Sequence, residues 1–209
     1  MDREQWLELR KQGIGGSDAA AIVGLNPYKT NIELWEEKTG RRESEDIGHK
    51  PVVRYGNNAE GPLRELFALD YPKYQVEYEE FKIFKNPENP FIMATLDGWL
   101  VEANRRGILE IKTTEIMNGG QIQKWKDKIP DNYYIQCLHQ LLTTGFDFVV
   151  LKAQIKFNFS ESLRLETKHY HIERSEVEED LTYLKAEEIE FWTKYVMKGI
   201  RPNLLLPVI

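Results

Sequence analysis

The chain has 209 residues, of which 41% are hydrophobic and 30% charged, and a formal net charge of −6. That length supports one well-buried core and is short for two independent domains, so a single domain over residues 1–209 is expected. No apolar run reaches membrane-spanning length, the charged start MDREQWLELRKQ is unlike a signal peptide, and a lone cysteine, Cys137, excludes an internal disulfide; a cytoplasmic protein is expected.

The negative charge at first argues against a nucleic-acid partner. It is concentrated, however. Ser175 to Glu190 holds seven acidic residues and one basic one, so that segment alone carries −6 and the remainder is balanced. An acidic helix there can face away from a polyanion, and charge does not decide the partner.

In chain order, residues 2–12 read as a short amphipathic helix with Trp6 and Leu9 on one side. GIGGSDAAAIVGLNPY follows, a glycine turn with a helix capped by Ser17 and ended by Gly24, then an Asn-Pro turn. Thr30 to Thr39 is a further helix, 41–50 a solvated loop, and 52–69 a helix expected to kink near Gly61-Pro62. The period then changes from helical to strand-like. YQVEYEEFKIF, FIMATLDGWLV and GILEIKT read as an antiparallel meander, followed by a glycine-rich connection, a helix over 131–144, strands FDFVVLKAQIKF and RLETKHYHIE, the acidic helix, and the tail RPNLLLPVI. This order implies an α/β (α+β) fold with a sheet flanked by helices.

The stretch TLDGWLVEANRRGILEIKTT sets Asp97, Glu110 and Lys112 on otherwise apolar strands. Alternation puts Ile108, Glu110 and Lys112 on one face of their strand; the turn falls within Glu102 to Gly107, and if it is centred between Ala103 and Asn104 it sets Asp97 opposite Glu110, a register that the sequence alone does not fix. Two carboxylates meeting at one point repel unless a cation lies between them. Mg²⁺, usually held by one or two carboxylates with water and phosphate oxygens, is the usual solution; a cross-strand salt bridge on an exposed face is the other. The triplet Glu-x-Lys occurs four times, at Glu36, Glu80, Glu110 and Glu166. Only Glu110 is flanked by Ile108, Leu109 and Ile111, where a charge is desolvated and must be compensated.

Three further features accompany the hairpin. Arg10, a glycine turn and Ser17-Asp18 at a helix start can form an anion site, since free backbone N–H groups and a guanidinium both grip phosphate; an ordinary capped turn is the plainer reading. Glu60 lies on the 52–69 helix, either solvated or reaching the site as a third carboxylate. On the 131–144 helix, Tyr133, Gln136 and Gln140 make a polar stripe at spacings of three and four, while Ile135, Leu138 and Leu142 pack inward.

The ordered set LRKQGIGGSDAAAIVGLNPY, YGNNAEGPLRELF, ATLDGWL, GILEIKT and YYIQCLHQLL resembles the phage lambda exonuclease family, the YqaJ-type viral recombinase nucleases. The resemblance implies a restriction-endonuclease-like core with a central mixed sheet, and a Mg²⁺-dependent enzyme, Mn²⁺ able to substitute, that degrades linear double-stranded DNA from 5′ ends and leaves 3′ single strands for annealing. It implies Asp97, Glu110 and the Ile111 carbonyl as ligands of one metal ion and Glu60 as serving a second. Lys112 is implied beside the attacking water, Gln136 near that water, Tyr133 in support, and Arg10 and Ser17 on the 5′-terminal phosphate. It further implies a ring-shaped homotrimer around DNA ends, a single-strand annealing protein as partner, no membrane association, and, for a phage or prophage protein, the bacterial host cytoplasm. The alternatives are a structure-selective or site-specific endonuclease on the same core, and a noncatalytic DNA-binding module.

Overall fold

A computed structural model describes residues 1–117, 119–126, 128–157 and 163–206. Helices α1 (Arg3–Lys11), α2 (Gly16–Ile22), α3 (Asn31–Lys38) and α4 (Pro51–Asp70) come first. Strands β1 (Gln75–Glu77), β2 (Phe84–Lys85), β3 (Met93–Ala94), β4 (Gly98–Glu102) and β5 (Arg105–Ile116) follow. After them come α5 (Gly119–Lys124), α6 (Asp131–Thr144), β6 (Phe148–Phe157), β7 (Arg164–Glu173) and α7 (Glu178–Glu190), which runs on into a π-helical turn over Phe191–Val196.

The main sheet has the order β1-β4-β5-β6-β7, antiparallel except for β5 with β6. Helix α6 makes the crossover that a parallel pair requires. Alternation along β5 gives the sheet two apolar faces. Ile108 joins one core with Leu138 and Leu141 of α6, and Leu109 and Ile111 join another with Leu63 and Phe67 of α4. Gly107 is required where β5 meets β6, because a Cβ there would lie 2.2 Å from the Phe148 ring.

The expected meander divides. YQVEYEEFKIF breaks at Phe81, whose φ is 60°, so its halves enter different sheets: β1 pairs with β4, and β2 forms a two-stranded ribbon with β3. FIMATLDGWLV likewise breaks between Ala94 and Gly98. Helix α5 occupies part of the stretch read as a connection. Ser17 does not cap α2; Gly15 does, with the Asp18 carboxylate accepting the Gly15 N–H at 3.0 Å. A glycine at that position leaves the capping work to the third residue of the helix, and Lys38 pins Asp18 from the other side at 2.7 Å. Helix α4 passes through Gly61-Pro62 as one 20-residue element.

The C-terminal segment folds back on the N-terminal layer. Asn31, buried at the start of α3, donates from Nδ2 to the Asn203 carbonyl at 2.7 Å and accepts the Leu205 N–H on Oδ1 at 3.0 Å. Pro207 to Ile209 of the tail lie outside the described residues.

Candidate active site

Glu110 stands on β5 with its side chain towards α6 and is only 1% exposed. A buried carboxylate must be met by donors. Helix α6 supplies two from residues one turn apart, Gln136 Nε2 at 2.7 Å from Oε1 and Gln140 Nε2 at 2.6 Å from Oε2. Lys112, next on the same face of β5, places Nζ 2.5 Å from Oε1.

Asp97 occupies the bend before β4. The β4–β5 register, Gly98 with Leu109 and Glu102 with Arg105, closes on the Ala103-Asn104 turn and carries Asp97 to the position opposite Glu110. Its Oδ2 accepts the Ile111 N–H at 2.7 Å. From α4, Arg64 Nη1 donates to the Asp97 carbonyl at 2.5 Å and lies 3.3 Å from Glu60 Oε1, with its guanidinium 3.6 Å over the Tyr78 ring. Glu60 and Arg64 are four residues apart, so both face the sheet from one side of the helix.

The electrostatics follow from this crowding. Burial pushes the Asp97 carboxyl well above the usual carboxylate range, and the neighbouring Glu110 adds to the shift. Glu60 is also raised, by burial first and by Glu110, with Arg64 opposing. Burial works against the charge of Lys112, but Glu110 and Asp97 outweigh it, so the ammonium holds its proton above the ordinary lysine range. Tyr133 lies with its ring 5.2 Å from Lys112 Nζ, and burial raises its hydroxyl.

The buried Glu110 and the partly buried Asp97, with one lysine beside Glu110, are short of positive charge, and after burial the neighbouring Glu110 is the next cause of the raised Asp97 carboxyl. Such a pair suits Mg²⁺, whose remaining positions go to water and phosphate oxygens. Among the described residues no three His, Cys, Asp or Glu side chains converge to hold a metal ion. Asp97 and Glu110 are thus the compact donor pair, while Glu60 stands beside them, held by Arg64.

Arg10 and Ser17 lie at a neighbouring corner. The Arg10 guanidinium sits 4.5 Å over the Trp6 ring and shares a small cleft with Gly15, Gly16 and Thr95; among the described residues no carboxylate pairs with it. Ser17 is exposed on the first turn of α2. This corner packs directly on the carboxylate clamp, since a Cβ on Gly16 would lie 3.2 Å from Gln136 Cγ. The structure therefore gathers Asp97, Glu110, Ile111, Lys112, Gln136 and Tyr133, with Glu60 beside them and Arg10 and Ser17 adjoining.

Two contributors were not expected in these roles. Arg64 carries its signal in the spacing of four after Glu60. Gln140 was visible as part of the stripe, and its spacing of four from Gln136 is what lets both amides reach one carboxylate.

Residues 5–147 match the model of the YqaJ-like viral recombinase domain. The chain belongs to that family. It is 35% identical over 210 residues to the uncharacterized protein YqaJ of Bacillus subtilis (strain 168), an alignment covering 98% of this chain and 60% of that relative. The chain thus spans less than two thirds of the length of this YqaJ relative. The fold is shared with an alkaline exonuclease from Laribacter hongkongensis (TM-score 0.63, 15% identity, covering 94% of this chain and 97% of that one). It is shared also with a phage-related exonuclease from Haemophilus somnus 129PT (TM-score 0.57, 13% identity, covering 90% and 95%). In this YqaJ-like chain no described helix is long and apolar enough to cross a membrane.

Proposed function

We propose that the chain is a Mg²⁺-dependent exodeoxyribonuclease that degrades linear double-stranded DNA from 5′ to 3′ and leaves 3′ single strands for recombination by annealing. The observation that carries the reading is the Asp97–Glu110 pair with Lys112 beside it, clamped by Gln136 and Gln140. Its family of viral recombinases supports it, as do the two structural neighbours named as exonucleases, one of which is also known in complex with dAMP.

Asp97, Glu110 and the Ile111 carbonyl would hold one Mg²⁺, and Glu60 would serve a second. Bound there, the ions supply Lewis-acid neutralisation of phosphoryl oxygens and a more acidic water. Lys112, paired with Glu110 at 2.5 Å, would orient and electrostatically stabilise the nucleophile. Gln136 and Gln140 fix the Glu110 carboxylate in one rotamer, which makes the donor pair preorganised. Tyr133, its ring 5.2 Å from Lys112 Nζ, would support that lysine. Arg10, with the Ser17 turn, would hold a terminal 5′ phosphate by a guanidinium fork and so fix the polarity of digestion. By family resemblance, a ring-shaped homotrimer on the DNA end and a single-strand annealing partner belong to the same reading.

Digestion of a linear duplex labelled separately at each 5′ and 3′ end, in Mg²⁺ and in EDTA, tests it. Release of 5′ label first, in Mg²⁺ only, is expected. Cleavage of closed circular duplex would favour an endonuclease, and DNA binding without cleavage a noncatalytic module.

A further inference from the structure

Among the described residues, Tyr28 is the most exposed large apolar or aromatic side chain, at 85%. A single exposed aromatic is ordinary on a protein surface. The mounting of this one is not. Asn26 Oδ1 accepts the N–H groups of Tyr28 at 2.8 Å and of Lys29 at 3.1 Å, which closes an Asx-type turn around Pro27. The Asn26 Nδ2 reaches back to the Ser17 carbonyl at 3.4 Å. One side chain therefore fastens the backbone of Tyr28 to the turn that carries Ser17, and Lys29 secures the far side by pairing with Glu37 at 2.6 Å.

Tyr28 thus combines a fixed backbone with an exposed ring beside the proposed phosphate corner. We propose that Tyr28 is a substrate-positioning residue whose ring stacks on a nucleobase of the DNA end being degraded. The inference rests on the nuclease reading of the site. The chemistry of the ring suits such a substrate: every base presents a π-face, so stacking holds a strand without reading its sequence, as an enzyme that proceeds through arbitrary sequence requires. A tyrosine also orders little on binding, because it has two side-chain torsions and the turn has already fixed its backbone.

Steady-state digestion of linear duplex in Mg²⁺, comparing the unmodified chain with Tyr28→Ala and Tyr28→Phe, tests the inference. Loss of one base–aromatic stack is expected to raise KM for DNA by roughly tenfold or more in Tyr28→Ala, with a smaller fall in kcat. Tyr28→Phe keeps the π-face and is expected to restore KM to within about twofold. A Tyr28→Ala KM within about twofold of the unmodified chain overturns the inference. So does a Tyr28→Phe variant as impaired as Tyr28→Ala, which would assign the role to the hydroxyl. An unmodified chain that digests no DNA removes the nuclease reading and this inference together, whereas normal digestion with an indifferent Tyr28→Ala removes this inference alone.

Discussion

Gln140 donates to Glu110 at 2.6 Å with both residues 1% exposed, and the Gln140 side-chain Oε1 is buried with no hydrogen-bond partner among the described residues. The amide is oriented wholly to serve the carboxylate. Gln140→Leu would strand Glu110 Oε2 without that donor, which costs about 1–3 kcal/mol. A melting temperature lower by roughly 3–10 °C is expected in thermal unfolding of the metal-free chain. An unchanged melting temperature would mean that Glu110 is solvated by another route.

Lys112 lies at the rim of the core, its side chain 20% exposed, as the cation beside the buried Glu110. Lys112→Ala is expected to keep the native circular dichroism spectrum and to lose activity on linear duplex by on the order of 10²–10³-fold, as for removal of one preorganised charge-stabilising group. Near-normal digestion by the purified variant would sink the site assignment.

Asp97 carries a sign that separates it from ordinary acids. Its folded-state carboxyl titrates above its unfolded value, so its stabilising contribution is complete only below the usual carboxylate range and is lost as pH rises through the raised value. Once pH has risen through that value, the metal-free protein bears an unrelieved repulsion between Asp97 and Glu110. Asp97→Asn is expected to raise the melting temperature there by a few degrees, from about 1 kcal/mol of relieved repulsion, while abolishing both nuclease activity and stabilisation by added Mg²⁺. A variant that melts lower than the unmodified chain without metal would contradict this account.

Arg10 is expected to act on the end of the substrate. Charge-assisted bonds to phosphate contribute about 1.5–3 kcal/mol, so Arg10→Ala should slow digestion of 5′-phosphorylated ends by roughly tenfold or more and leave 5′-hydroxyl ends much less affected. Competition between the two kinds of end in one reaction reads the ratio directly. Equal losses on both would remove the phosphate role.

His139 gives a pH dependence of the opposite origin. It is fully buried, with Nδ1 2.7 Å from Glu188 and Nε2 2.9 Å from the Met93 carbonyl. Burial alone would lower its pKa, but Glu188 outweighs burial and the imidazole is raised. A raised folded value means that the pair stabilises fully below about pH 6.5, the unfolded value, and loses that contribution as pH rises through the folded one. His139→Leu strands a buried carboxylate, which costs about 3–5 kcal/mol. Urea unfolding should show the gap between the unmodified chain and the variant narrowing from pH 6 to pH 9; a gap independent of pH would mean that the pair is neutral.

Much of the site was legible because strand alternation fixes which side chains share a face, while the β4–β5 register, open in the sequence, was settled by the fold. Asp97 falls opposite Glu110 by counting from Ala103-Asn104, and the Tyr133-Gln136-Gln140 stripe follows from helical spacing. What the pattern did not carry is long-range. That Arg64 grips the Asp97 carbonyl depends on how α4 crosses the start of β4. That β5 lies parallel to β6 depends on the path of α6. The split between β1 and β2 turns on Phe81 adopting a left-handed φ, a conformation for which a phenylalanine gives no local signal. The cap of α2 moved to Gly15 because Lys38, distant in sequence, holds Asp18 where it can serve as the capping group.

The amide of Asn31, spanned by the Asn203 carbonyl and the Leu205 N–H, bears on how the protein is made. Its two partners leave the ribosome more than 170 residues after it. Until then a buried polar group at the head of α3 lacks its internal partners, and the N-terminal helices stay incompletely sealed. The layer that carries Arg10, Ser17 and Tyr28 is thus sealed at Asn31 only once the chain has been made as far as Leu205.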